Sequence, residues 1–166
     1  LEDLNAGADS YTVGIGYYAG SNTADCRHGT FVGGLAAGTG QVTGTGNTAI
    51  GYRSGNALSS GYYNTFTGND AGENTQVGYE NVAMGYRALF TNTHGRHVVA
   101  IGAQALDVAN PSSASSTYQV AVGYAAGLAV SEGSQNTLVG GLAARNLTTA
   151  NDCVIVGALA GYHAST

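Results

Sequence analysis

Few side chains of this 166-residue chain could carry out acid–base or nucleophilic catalysis. Asp70 and Glu73 are the best candidates for a catalytic carboxylate pair, which glycosidases hold about 5–9 Å apart. Nothing in the neighbouring sequence marks a cleft around them, and no nucleophile with an adjacent base is evident. We therefore do not expect an enzyme, and a glycan-degrading spike that uses this pair is the catalytic alternative.

The cysteines and histidines lack the spacing of a metal site. Cys26 and His28 are close in sequence, as are His94 and His97, but neither group has the paired cysteines of a structural zinc site. If three copies of the chain assembled around an axis, they could still bring three copies of one histidine together there. We expect no metal and no cofactor. We also expect no intrachain disulfide, because Cys26 and Cys153 lie far apart along the repeat described below.

Aromatic, guanidinium and imidazole groups recur at one position of the chain and suit binding better than catalysis. Such groups stack on sugar rings and form hydrogen bonds with hydroxyl groups, and they are enriched at binding hot spots. The alternative interpretation is a solvated turn at which tyrosines stabilise neighbouring repeats. The candidate binding residues are Tyr62, Tyr63, Tyr79, Arg96, His97 and Tyr118.

A repeat of about 17 residues positions these side chains. Each unit contains a short apolar segment followed by a glycine, which we call the anchor glycine. Successive anchors are 17 or 18 residues apart, except for one interval of 21. That longer unit contains a polar loop at residues 107–116, a further candidate binding segment. The anchors are Gly16, Gly33, Gly51, Gly68, Gly85, Gly102, Gly123, Gly140 and Gly157.

The positions around the anchor predict a strand that ends in a tight turn. Only valine or threonine occurs three residues before it, and both favour strands. Three residues after it stands alanine in every unit but one, where Ser54 replaces it. The unit is too short for a helical-hairpin repeat. We predict an all-β chain, a parallel β-solenoid (β-roll) of nine coils of about 17 residues within residues 11–166, preceded by a lead-in of residues 1–10.

Both faces of the predicted strand are apolar. The residue two before the anchor, the inner column, is never polar, and its neighbours on either side point to the opposite face. A thin solenoid has only one interior, so the second apolar layer predicts contact with other copies of the chain. On this interpretation the threonines three residues before the anchor face inward.

The residue after the anchor alternates in size with the inner column. Tyrosine follows the anchor where the inner column holds glycine or alanine, and a smaller residue follows where it holds a large one, except in the sixth coil, which has Ala100 and Ala103. Because close packing requires such compensation, we predict that both columns share the layer between chains. The predicted packing residues are Phe31, Phe66, Leu138, Ile155, Tyr17, Tyr52, Tyr86 and Tyr124.

The composition excludes several classes of protein. The 27 glycines do not follow the collagen period, and 43% hydrophobic content with 9% charge does not suit a disordered chain. The chain has no lysine and a net charge of −5, which offers no basic surface for nucleic acid. No apolar run is long enough to predict insertion into a membrane.

The motif Asn-Val-Ala-Met-Gly-Tyr-Arg-Ala-Leu at residues 81–89 resembles the repeat of bacteriophage tail-fibre-like proteins, whose units recur at the same spacing. It is also similar to the head repeats of trimeric autotransporter adhesins, whose units are usually shorter. The resemblance covers about residues 11–162. It implies a homotrimeric β-roll on a virion or cell surface that attaches to host-cell glycans, and it supplies no catalytic residue. An ice-binding solenoid is a further alternative, because repeated threonines on a flat sheet suit that role.

Overall fold

The structure is a computed structural model that describes residues 11–23, 25–112 and 117–164. The predicted lead-in and residues 113–116 of the predicted polar loop lie outside these ranges. The described chain has no helix and forms one sheet of nine parallel strands in sequence order. The strands are β1 (Val13–Ile15), β2 (Thr30–Val32), β3 (Thr48–Ile50), β4 (Thr65–Thr67), β5 (Val82–Met84), β6 (Val99–Ile101), β7 (Val120–Val122), β8 (Thr137–Val139) and β9 (Val154–Val156).

Equivalent positions of successive coils pair directly, so the repeat period is also the register of the sheet. Val13 pairs with Thr30, and Thr48 pairs with Thr65. The unit with the insertion keeps this register, because Val99 still pairs with Val120. These pairings confirm the predicted all-β parallel solenoid. At about 4.8 Å per strand, the sheet is roughly 40 Å long.

Each anchor glycine makes the turn at the end of its strand. The backbone angle φ of all nine anchors lies between 126° and 137°, a region that L side chains rarely adopt. The next coil also leaves no room for a side chain. A Cβ atom on Gly85 would lie 2.7 Å from the carbonyl carbon of Gly102. Glycine is therefore required here both by conformation and by the close approach of the next coil.

The turns after the anchor also form hydrogen bonds between coils. Arg53 has a φ of 54°, and its N–H donates to the carbonyl of Gly34 in the preceding coil at 2.9 Å. Two residues later, Gly55 has a φ of 55°, and its N–H donates to Ala71 in the following coil at 2.9 Å. The left-handed conformation is costly for a residue with a side chain. The hydrogen bonds that the turns form with both neighbouring coils offset this conformational cost.

Asparagine side chains connect the coils just before the strands. Asn64 is fully buried, and its amide nitrogen donates to the carbonyl of Gly78 at 2.9 Å and to Oδ1 of Asn47 at 3.0 Å. Its Oδ1 accepts from the backbone N–H of Asn81 at 3.1 Å. Asn81 repeats the arrangement with Gly95 and Val98. This asparagine ladder satisfies backbone groups that would otherwise be buried without partners.

The inner column forms the core of a single chain, which corrects one prediction. Phe31, Phe66 and Leu138 are fully buried within this chain, and Ile155 packs against the same core. These side chains therefore do not belong to a layer between chains. The tyrosines predicted to share that layer lie outside and are at least half exposed: Tyr17, Tyr52, Tyr86 and Tyr124. The reason is strand alternation, because positions three residues apart in an extended segment face opposite sides.

The inner column does alternate in size with a second column. That column is the residue four after the anchor, and not the residue directly after it. Phe66 lies against Gly72, where an added Cβ would come within 2.7 Å of the ring. In the next coil the sizes are reversed, because Ala83 shares the core with Leu89, and both are fully buried. A large residue at one position is thus matched by a small residue at the other. Where both are small, as at Ala49 and Gly55, the large side chain of the next coil, here Phe66, lies against the small residue.

We expect Ala83→Phe to lower the free energy of unfolding by about 1–3 kcal/mol, because it overfills the core beside Leu89. Adding Leu89→Gly recreates the combination of Phe66 and Gly72 found one coil earlier. The loss in the double variant should then be smaller than the sum of the two single losses by about 1 kcal/mol or more. A double-mutant cycle in urea measures this coupling, and additive losses would contradict the assignment.

Candidate functional site

The outward side of the sheet is an apolar face. Three columns form it: the residues three before, one before and one after each anchor glycine. None of these positions holds a charged residue. Ile15, Ile50, Met84, Ile101 and Val156 are exposed members of the column that lies one residue before the anchor.

The threonine column, three residues before the anchors, was predicted to face inward, and this prediction is wrong. Thr65 is exposed, and Thr30, Thr48 and Thr137 are partly exposed on the side opposite the buried inner column. The column therefore faces out of the chain rather than into its core. With nine strands about 4.8 Å apart and four residue steps of about 3.3 Å, the apolar face covers roughly 500 Å². Contiguous apolar patches of this size on soluble proteins usually serve an interaction.

The predicted binding residues Tyr62, Tyr63, Tyr79, Arg96, His97 and Tyr118 come together at one corner of the coils and form what we call the aromatic ladder. Its inner part is a stack over three coils. The rings of Tyr62 and Tyr79 lie 4.4 Å apart at an interplanar angle of 9°. The Arg96 guanidinium lies 4.6 Å from the centre of the Tyr79 ring, and its Nη1 donates to the Tyr79 hydroxyl at 3.0 Å.

The outer part of the aromatic ladder is more exposed. Tyr63 meets Tyr62 edge-on at 5.4 Å, and Tyr118 stacks on His97 at 4.9 Å with an interplanar angle of 6°. Nε2 of His97 lies 2.9 Å from Oε2 of Glu80. Tyr63, Glu80, His97 and Tyr118 all have φ between 46° and 56°. The ladder continues from coil to coil because each coil makes the same left-handed turn at this corner.

Another part of the coil carries ion pairs that sequence reasoning did not predict. Arg53 contacts both Asp70 and Glu73. Arg87 binds Asp107 through two hydrogen bonds, of 3.1 Å from Nε and 3.0 Å from Nη2. The bond to Asp107 raises the pKa of Arg87. The alternation of Arg53, Asp70 and Arg87 at one position of successive coils was the available signal.

The ion pairs also bear on the catalytic alternative. Glu73 is almost fully buried, and a single guanidinium contacts both it and Asp70. Burial of Glu73 against Arg53 limits the access of a substrate to its carboxylate.

The two cysteines lie at opposite ends of the solenoid. Cys26 is buried in the first coil, where burial raises the pKa of its thiol, and Cys153 is half-buried in the last. Within residues 11–23, 25–112 and 117–164, no three histidine, cysteine or acidic side chains form a cluster that could hold a metal ion. The same ranges contain no helix long and apolar enough to cross a membrane.

The comparisons with known proteins gave no match for this chain, whether against family models, curated proteins or solved structures.

Proposed function

We propose that this chain is a structural and adhesive segment of a homotrimeric surface fibre that contributes to attachment to host-cell glycans. The fibre would be a phage tail fibre or spike on a virion surface, in keeping with the resemblance of the repeat. The head domain of a bacterial trimeric autotransporter adhesin is the alternative within the same structural class.

The apolar face is the observation that carries this proposal. It runs in register along all nine strands and has no charged residue, so three copies can turn this face towards a common axis and cover it along its length. Surfaces buried between identical subunits are typically apolar in this way. Packing between copies would cover Ile15, Ile50 and Val156, which are exposed in the single chain.

The oligomeric mass tests the proposal. We expect light scattering to give the mass of a trimer, and Ile50→Asp to shift it towards the monomer, because a charge would be buried at the centre of the apolar face. Val108→Asp is the matched control, since Val108 is equally exposed but does not belong to the three columns of this face. A wild-type monomer at micromolar concentration would contradict the proposal, as would an equal effect of both substitutions.

The aromatic ladder is the surface we propose for attachment. It is built from residues of coils that lie next to each other, and it does not belong to the apolar face. Assembly and glycan attachment would therefore use different parts of the same coil. Both functions can be tested separately, because substitutions can be confined to one surface.

One observation favours an ice-binding solenoid as a second candidate. The column with Thr30, Thr48, Thr65 and Thr137 faces outward at regular spacing, as an ice-binding surface requires. Valine fills the other positions of that column, and exposed tyrosines lie beside it. Ice binding needs this face to be open, whereas a trimer covers it. Thermal hysteresis of a monomeric wild-type chain would favour ice binding over the fibre.

A further inference from the structure

The aromatic ladder presents an exposed ring at each end. Tyr63 and Tyr118 are both 57% exposed. Tyr63 lies over Gly46, where a Cβ atom would come within 2.5 Å of the ring, and Tyr118 stacks on His97. The two tyrosines occupy equivalent positions three coils apart, which is about 14 Å at 4.8 Å per coil. Both rings are thus held by the protein on one side and are more than half exposed.

A polar pair lies between the two rings. The Glu80 side chain is 48% exposed, and it contacts His97 at 2.9 Å. A carboxylate accepts hydrogen bonds from hydroxyl groups, and Nε2 of His97 holds the Glu80 carboxylate in place, while Nδ1 of His97 is buried. Along this side of the coils the order of groups is therefore a ring, a carboxylate with an imidazole, and a second ring.

The inner stack holds this arrangement in place. Tyr62, Tyr79 and Arg96 pack face to face beneath the exposed groups, and the Tyr79 ring also meets His97 edge-on at 5.5 Å. Preorganised side chains lose little conformational entropy when a ligand binds. The exposed groups consequently form a rigid linear array rather than a set of mobile side chains.

We propose that the aromatic ladder binds an extended, neutral oligosaccharide that lies along the rod. One sugar ring stacks on Tyr63 and another on Tyr118, while hydroxyl groups between them bond to the exposed carboxylate of Glu80, which His97 holds in place. The separation of the rings requires an oligosaccharide rather than a single sugar. The net charge of −5 and the exposed carboxylate of Glu80 disfavour a polyanion. This inference rests on the attachment role proposed above and names its ligand class.

Calorimetric titration with defined glycans tests the inference. The probes are the hexasaccharides of glucose and of N-acetylglucosamine, their monosaccharides, and a polysialic acid hexamer as the anionic counterpart. We expect the wild-type chain to bind at least one neutral hexasaccharide and to show no measurable binding of its monosaccharide. Tyr63→Ala and Tyr118→Ala should each weaken this binding about tenfold or more, because each removes one stacking ring.

Tyr18→Ala is the matched control, and it should leave the affinity unchanged. Tyr18 is 53% exposed and has a φ of 53°, close to the values of Tyr63, but it lies at a different turn of the first coil. The inference fails if no neutral hexasaccharide binds, if only the anionic glycan binds, or if Tyr18→Ala is as damaging as Tyr63→Ala.

Light scattering on the same samples separates this inference from the proposed trimer. If Tyr63→Ala or Tyr118→Ala lowers the oligomeric mass, the aromatic ladder is a contact between chains, and the inference is overturned. A monomeric wild-type chain that still binds the hexasaccharide through Tyr63 and Tyr118 would instead support this site and contradict the trimeric fibre.

Discussion

Gly85→Ala is expected to lower the free energy of unfolding by about 4 kcal/mol or more, which is large enough to prevent stable folding. The new side chain would have to adopt a φ of 131°, and its Cβ would lie 2.7 Å from the carbonyl carbon of Gly102. The obstacle is the backbone of the next coil, which cannot move aside as a flexible side chain could. Urea denaturation followed by far-UV circular dichroism, at matched protein concentrations, measures the loss.

Gly157→Ala is the control for this prediction. Gly157 has nearly the same conformation, with a φ of 126°, but a Cβ there meets only the Cβ of Ala160, at an ordinary contact distance of 3.6 Å. We therefore expect only the conformational cost, about 1–3 kcal/mol. Equal losses at Gly85 and Gly157 would show that the close approach of successive coils does not explain the anchor glycines.

Asn64→Ala is expected to lower the free energy of unfolding by about 3 kcal/mol or more. The substitution removes the bonds from the side-chain amide to Gly78 and Asn47, as well as the acceptor for the backbone N–H of Asn81. The N–H of Asn81 and the carbonyl of Gly78 would then be buried without these partners. The same urea denaturation measures the loss.

Asn22→Ala provides the comparison, because Asn22 is exposed and lies outside the apolar face. Exposed substitutions of this kind change stability by about 0.5 kcal/mol or less. If Asn64→Ala is no more destabilising than Asn22→Ala, the asparagine ladder does not connect the coils as its hydrogen bonds indicate.

The natural exceptions in the asparagine ladder fit this account. In the sixth coil the equivalent residue is Val98, whose backbone N–H still donates to Oδ1 of Asn81 at 3.0 Å. Valine has no amide with which to continue the series. Gln119 occupies the next coil, and its amide again donates to a turn carbonyl, that of Gly133. The sixth coil, which has valine in place of the asparagine, is also the one with the insertion, where the turn that follows has a different length.

Most of the backbone arrangement could be predicted from the sequence. The interval between anchor glycines predicted the number of coils and their register, because equivalent residues of a regular parallel stack pair with one another. The aromatic ladder could be predicted for the same reason. Tyr62 and Tyr79 are 17 residues apart, so the stack places them in neighbouring coils.

Which of the two apolar faces of the strand lies inside the chain could not be predicted from the strand alone. Both faces are apolar in sequence, and the size alternation with Tyr52 or Tyr86 suggested the wrong partner for the inner column. The true partners, such as Gly72 for Phe66 and Leu89 for Ala83, depend on how the chain turns after the anchor. Those turns use left-handed backbone at Arg53 and Leu89, which is unfavourable for such residues and which their residue types do not signal.

A parallel solenoid of nine strands follows from the sequence alone, because a glycine at fixed spacing and a strand between turns are local properties repeated nine times. The burial of Phe31, Phe66 and Leu138 in the interior became evident only in the folded chain, as did the outward direction of the threonine column. So did the contacts of Arg53 with Asp70 and Glu73. These features depend on volumes and contacts between coils, which exist only once the turns have placed one coil on the next.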